Sequence, residues 1–348
     1  MLLEQGKQVL TLQQYALSLS SEAGHNAYGL ISDGDPNLLF VVSTRPGYYR
    51  LMPGPELGLF LFRGQVERVS RKRCIPSLYR ASFGGVEMRS IKRLFWTLKI
   101  KELDSILRKH PAQIELSGST FEGLQFDYDY TSLAQHYGYP TGLLDFSRNR
   151  DVAMFFATCD FDNSQHRYIP LSSGTAAIYT INLREVIAQR GWSVLPLGGD
   201  ALPRPVAQYA FAISLAQGED LDEMPWAEKI VFQITLDESQ KYFDLFKGGE
   251  LLFPTNSFDS FIASLRENNT ISLNSILLGI ANNTLPQHPQ GLDGILNEFK
   301  NAGYKVSESD PVVPDDIVCD AQKEWCANRT AFFGKARIRG CCGHYQEP

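Results

Sequence analysis

Apolar residues along this chain alternate between two spacings, and the switches mark its elements. Leu12, Tyr15, Ala16 and Leu19 share one face over residues 11–22, which predicts a short amphipathic helix. Three apolar runs rich in β-branched and aromatic residues come next: Leu38–Ser43, Tyr48–Met52 and Leu57–Phe62. Arg45-Pro46-Gly47 and Pro53-Gly54-Pro55 separate them, and the pattern predicts an antiparallel meander. From Val86 to Lys109 the spacing becomes helical, with Ile91, Leu94, Phe95, Leu98, Leu103, Ile106 and Leu107 recurring at three and four. The opposite face of that helix carries Arg89, Lys92, Arg93, Lys99, Lys101, Arg108 and Lys109. A basic face of this kind is either a solvated surface or a place to hold nucleic acid.

A helix is predicted over Tyr130–Tyr137, stopped by Gly138 and Pro140. Thr141–Ser147 reads as a buried strand and Asp151–Cys159 as a buried helix, with Asp151 in the first turn, where the helix dipole favours an anion. Strands follow at Ala176–Asn182, Gln208–Leu215 and Lys229–Leu236, and helices at Glu238–Phe246 and Ser257–Glu267. Two further helices are expected at about 273–281 and 291–302, then an irregular tail from about 305 that is poorly packed and dispensable for folding. Strands and helices interleave without regular βα alternation, so the predicted class is α+β, a mixed or antiparallel sheet with flanking helices.

Composition narrows the function classes. With 348 residues the chain is long enough for one large domain or two ordinary ones. A net charge of −6 argues against coating nucleic acid through bulk charge. No apolar run approaches the roughly 18 residues of a membrane helix. The opening stretch, with Glu4 and Lys7 among its apolar residues, lacks a secretory h-region, so a cytoplasmic protein with no membrane partner is expected. Reduced thiols are then the default. Cys319, Cys326, Cys341, Cys342 and His344 crowd the tail, but the spacing of the first two does not match a tight zinc knuckle, and no metal is expected. Neither a GxGxxG after a strand nor a GxxxxGK[ST] occurs, which leaves Rossmann and P-loop binding poorly supported.

Three groups of residues carry candidate chemistry. Phe62-Arg63-Gly64-Gln65 closes a strand, with Arg80 following in Pro76-Ser77-Leu78-Tyr79-Arg80. An Arg at the end of a buried strand is costly to desolvate unless it meets an anion or a carboxylate such as Asp145, and Gly64 lets a ligand approach the backbone. The stretch 134–145 packs His136, Tyr137, Tyr139, Thr141 and Asp145 around one helix-to-strand turn. Such a set suits a pocket for a flat heterocycle with a ribose, or a satisfied core in which His136 caps a helix end and Asp145 bonds backbone amides, the reading His136 alone would favour. In Arg204-Pro205-Val206-Ala207-Gln208-Tyr209-Ala210-Phe211, Gln208 leads into an apolar strand.

Taken in order, FRGQ, PSLYR, AQHYGYPTGLLDFSRNRDVAMFFA, GTAAIYTIN, RPVAQYAF and GELLFPTNSFDSF resemble the FRG domain family, over about residues 57–267. Gly142 and Phe146 stand where the family commonly has Arg and Trp, and Ala210 where it has Gly. The segments 1–56 and 268–348 then read as an N-terminal helix with strands packing on the core and a C-terminal helical extension with an irregular tail. More distantly, Arg63-Gly64, Asp145-Phe146-Ser147 and Ala153–Ala157 resemble mono-ADP-ribosyltransferases of the Arg-Ser-Glu type, which implies an ADP-ribosyltransferase-like core.

That resemblance implies NAD as substrate, in an ADP-ribosyltransferase or NAD glycohydrolase serving as a bacterial toxin or phage-defence effector. Arg63, His136, Asp145 and Gln208 become the candidate catalytic set. Arg63, Gly64, Gln65, Arg80, His136, Tyr137, Thr141 and Ser147 become the candidate NAD-binding set, with the two Arg on the pyrophosphate. The Glu-x-Glu strand of those enzymes is missing, so Asp145, Glu228 or Glu250 would supply the carboxylate. The contrasting expectation is a module that senses a nucleotide or a partner protein without turnover. A third reading uses the basic helix 89–109 to hold nucleic acid, and a transferase would have a protein or nucleic-acid target.

Overall fold

The strand that carries Arg63 lies in the middle of a six-stranded sheet, and the rest of the molecule is arranged around it. The computed structural model describes residues 37–337 except 55–58, 68–72, 84–85, 88–89, 163, 200–201, 283 and 286–287. The helix expected at 11–22 falls outside the described residues, as do Cys341, Cys342 and His344.

In chain order the chain forms β1 (Leu39–Arg45), β2 (Tyr48–Pro53), β3 (Phe60–Glu67), α1 (Ser90–Leu107), α2 (Pro111–Gly118), α3 (Tyr130–His136), β4 (Leu143–Ser147) and α4 (Arg150–Thr158). It continues with β5 (Thr175–Asn182), β6 (Val194–Pro196), β7 (Ala210–Ser214) and β8 (Ala227–Gln233). The large sheet has the order β6-β7-β4-β3-β5-β8, and every neighbouring pair in it is antiparallel. The architecture is α+β, with mixed and antiparallel sheets flanked by helices.

Both faces of the large sheet are covered. Leu61, Leu144, Phe146, Tyr179, Phe211 and Ile213 pack against Phe40, Val42 and Met52 of the β1–β2 hairpin. Phe62, Ala176 and Ile178 belong to a second cluster with Ala153, Phe155 and Ala157 of α4, so that helix covers the opposite face. α4 begins where Asn149 Oδ1 accepts from the Asp151 amide, and its apolar residues then repeat at helical spacing.

Four expectations are corrected. The three early runs do not form one meander: β1 and β2 pair in a sheet with Leu124–Phe126, whereas β3 joins the large sheet, because spacing specifies a strand but not its partner. FRGQ lies within β3 rather than closing it. The helix expected from Val86 starts at Ser90, after a short ladder of Ser82–Phe83 with Val86–Glu87. Its basic face is also interrupted, since Lys99 is buried and its Nζ lies 3.1 Å from Glu102 Oε2.

The tail is the fourth. Residues Asp315–Lys335 form a helix, designated α11 with the intervening helices α5 to α10 (Leu183–Arg190, Arg204–Ala207, Leu236–Leu245, Asp259–Glu267, Leu273–Ala281 and Gly291–Asn301). Trp325, Phe332 and Phe333 pack on the apolar cluster of Leu39, Leu51 and Phe126. Trp325 Nε1 donates to Glu115 Oε2 at 2.7 Å, and Arg329 Nε donates to Glu115 Oε1 at 2.6 Å. Cys319 and Cys326 are exposed on this helix.

Candidate functional site

β3 and β4 pair at a single position, Phe62 opposite Ser147, and then diverge. Divergence leaves a wedge between two central strands, and Arg63 spans it: its Nη1 donates to the backbone carbonyl of Asp145 at 2.8 Å. The Asp145 carboxylate is therefore not consumed by the guanidinium, and it faces the space beyond. The internal Arg63–Asp145 ion pair considered from sequence is thus a bond to the main chain. Arg63 Nε is buried with no hydrogen-bond partner among the described residues.

That space has two lobes. The first, about 310 Å³, is lined by Arg63, Gly64, Gln65, Arg80, Ser147 and Asp160 among others. The second, about 730 Å³, is lined by His136, Tyr137, Arg204, Glu250 and Arg266 among others. Asp145, Gln208, Phe156, Phe161 and Tyr168 border both, so the lobes meet at one carboxylate, one amide and an aromatic wall. Phe253 stacks on Tyr168 with centroids 5.2 Å apart and extends that wall.

His136 ends α3, a helix whose N-terminus is capped by Asp129 Oδ1 accepting from the Thr131 and Ser132 amides. Its Nδ1 lies 3.1 Å from Gln208 Oε1, while its Nε2 lies 3.8 Å from Asp145 Oδ1. Burial holds the imidazole below its ordinary pKa, with the Asp145 charge working in the opposite direction. Among the described residues, both His136 Nε2 and Asp145 Oδ1 are buried without a hydrogen-bond partner. Gln208 follows the helical turn Arg204–Ala207 as its cap rather than opening a strand, and its Nε2 donates to Leu252 O at 3.0 Å.

The other predicted residues divide into lining and framework. Ser147 Oγ donates to Gln208 O at 2.7 Å and accepts from the Asn149 amide, so its hydroxyl ties β4 to the Gln208 turn. Arg80 Nε donates to Ile75 O at 3.1 Å. Tyr137 sits under the Arg204 guanidinium, 4.1 Å from the ring centroid, and its hydroxyl accepts from Asn256 Nδ2. Thr141 is buried away from both lobes: its Oγ1 donates to Gln135 Oε1 and accepts from the Leu143 amide. It shapes the turn into β4 and does not border the site.

Gly64 has a packing role besides the one expected. A Cβ there would fall 1.6 Å from Ala153 O, so the glycine admits α4 onto β3, and it also lines the first lobe. Gly142 is similarly confined, with a Cβ placed 2.8 Å from Tyr79 Oη. Of the three carboxylates considered from sequence, Asp145 borders both lobes and Glu250 the second; Glu228 lies on the edge strand β8 and borders neither.

Sequence reasoning missed Arg204, Arg266, Tyr168 and Asp160. Arg204 Nη2 donates to Asp259 Oδ2 at 2.6 Å and its Nη1 to His136 O at 3.3 Å. It stands four residues before Gln208 in the block already singled out, which was its only signal. Arg266, Tyr168 and Asp160 reach the site from separate elements, and no local pattern announces them.

Among protein families, residues 58–166 match the FRG domain. No curated protein and no solved structure matches the chain. The matched segment supplies β3 and β4, whereas the other four strands of the large sheet lie beyond it.

Proposed function

We propose, from the resemblance of Arg63-Gly64, Asp145-Phe146-Ser147 and Ala153–Ala157 to ADP-ribosyltransferases, that the two-lobed cleft binds NAD and that the protein cleaves its nicotinamide–ribose bond, as an ADP-ribosyltransferase or NAD glycohydrolase. The observation that carries the reading is the junction of the lobes, where Asp145 faces the cleft while Arg63 holds its main chain. Two lobes of about 310 and 730 Å³ suit a ligand made of two nucleosides. Arg63 and Arg80 both line the first lobe and would supply cationic donors for a pyrophosphate. The wall of Phe156, Phe161 and Tyr168 offers flat apolar surface to a heterocycle.

In this reading the glycosidic bond breaks with its electron pair going to the nicotinamide nitrogen. Positive charge develops on the ribose, and the Asp145 carboxylate stabilises it electrostatically. His136, held by Gln208, and Ser147, held at the Gln208 carbonyl, keep the junction rigid. A neutral Gln208 cannot supply that charge, so the assignment falls on Asp145. Such an activity would suit a bacterial toxin or phage-defence effector, the role proposed with it. Calorimetric titration with NAD, together with an assay for released nicotinamide, tests the reading. Binding without release would instead mark a nucleotide sensor.

A further inference from the structure

Gln208 fixes the chemistry of His136 by a chain of donors and acceptors. Its Nε2 donates to the Leu252 carbonyl, so its Oε1 is the atom that faces His136 Nδ1. An amide oxygen only accepts, hence Nδ1 carries the hydrogen and Nε2 of the neutral ring carries a lone pair. Nε2 is aimed at Asp145 Oδ1, which is likewise an acceptor, across 3.8 Å. Two buried acceptors facing each other with no donor between them are unfavourable. The His136 side chain is 2% exposed, and both residues border the larger lobe.

We infer that the gap between His136 Nε2 and Asp145 Oδ1 seats the acceptor of the ribosyl group, and that this acceptor is an atom bearing two hydrogens, namely water or the nitrogen of a primary amine. As the side chains stand both atoms are closed to solvent, so seating requires the Asp145 side chain, 33% exposed, to swing aside. One atom placed between the two can then donate to both within normal hydrogen-bond reach, about 2.7–3.2 Å. A hydroxyl or a thiol can satisfy only one of them. The assignment of this seat to the acceptor rests on the NAD-cleaving reading. In the transfer, the acceptor atom bonds to the ribose carbon as the bond to nicotinamide breaks. The electron pair leaves with nicotinamide, and the acceptor's surplus proton passes to His136 Nε2, where Asp145 stabilises the imidazolium before release to solvent.

The test uses the full chain labelled with ¹⁵N-histidine and long-range ¹H–¹⁵N spectra at pH 7.5, with His136→Gln to assign the signal. Wild type should show the Nδ1–H tautomer of His136, and methylammonium should shift its Nε2 resonance. Trimethylammonium has the same charge and only one N–H, and should act at least tenfold more weakly. Asp145→Asn should weaken the methylammonium response at least tenfold while the tautomer stays unchanged. An Nε2–H ring, an imidazolium, no response to methylammonium or an equal response to trimethylammonium would each overturn the inference. Should Asp145→Asn fail to fold, the wild-type spectra still decide.

With NAD added, free ADP-ribose marks water as the donor and an adduct with methylamine marks nitrogen; either supports a two-hydrogen acceptor, whereas preferential transfer to methanol overturns it. The spectra use no NAD, so a protein that ignores NAD while passing the spectral test sinks the proposed reaction and leaves the two-acceptor seat standing.

Discussion

Arg63 donates to the main-chain carbonyl of Asp145, a residue 82 positions away, and this bond bridges two central strands where their ladder has ended. It gives the guanidinium a structural task besides any ligand. Arg63→Ala should therefore lower stability by about 1.5–3 kcal/mol, the range for a hydrogen bond to a charged group, and should weaken NAD binding about tenfold or more. Arg63→Lys keeps the charge but loses the planar two-point donor, so it should recover part of the stability and little of the affinity. Melting curves and calorimetry on both variants read the two effects separately.

Gly64→Ala is the sharpest probe of how the cleft is built. The added methyl would collide with the Ala153 carbonyl, backbone against backbone, so no side chain can swing aside. Pushing α4 off β3 should cost at least the 1–3 kcal/mol typical of overpacking, and soluble yield should fall. Chemical denaturation against wild type checks it. An unchanged midpoint would mean that α4 does not lie where the structure has it.

Part of the acid sensitivity should trace to His110. This residue caps α2: its Nδ1 accepts from the Ala112 amide, which requires a neutral ring, and burial lowers its pKa to about 4. The unfolded chain takes up the proton near the ordinary 6.5 while the folded chain resists, so stability declines as pH falls from about 6.5 towards 4. The decline from this group should reach at most about 3.4 kcal/mol, at 1.36 kcal/mol per pKa unit. His110→Asn keeps a capping acceptor without the titration, and urea unfolding at pH 7 and pH 5 should show a smaller loss than wild type.

Removing the C-terminal helix should destabilise the protein, contrary to what its composition suggests. A chain ending at Tyr304 loses Trp325, Phe332 and Phe333 from the cluster that also holds Leu39 and Phe126, and leaves Glu115 without Trp325 and Arg329. Its thermal midpoint should fall clearly. Trp325→Ala alone should cost about 2 kcal/mol, within the usual range for losing a partly buried aromatic anchor.

Elements with one clean period were legible in the sequence. The helix Leu273–Ala281 and the strand Leu143–Ser147 need only a local apolar pattern, and both appear within two residues of where the pattern puts them. Pairing was not legible, because nothing in Phe60–Glu67 says that its neighbours are Thr175–Asn182 and Leu143–Ser147. The helix Asp315–Lys335 hid behind prolines, acids and cysteines, although Ile317, Ala321 and Trp325 already recur at four. Within the site, polar residues clustered in sequence drew notice. His136 and Asp145 do meet, with Arg63 beside them; Thr141, from the same cluster, was drawn inward by the turn it stabilises. Arg266 and Tyr168 arrive by tertiary folding alone.

The most direct measurement is NAD turnover by wild type and by Asp145→Asn, with binding followed by calorimetry in parallel. If Asp145 stabilises charge at the ribose, wild type binds NAD and releases nicotinamide, and Asp145→Asn binds it while releasing nicotinamide about 10²–10³-fold more slowly, the loss usual for one preorganised electrostatic contact. Wild-type protein that neither binds nor consumes NAD, or an Asp145→Asn variant that turns over at the wild-type rate, would contradict the account.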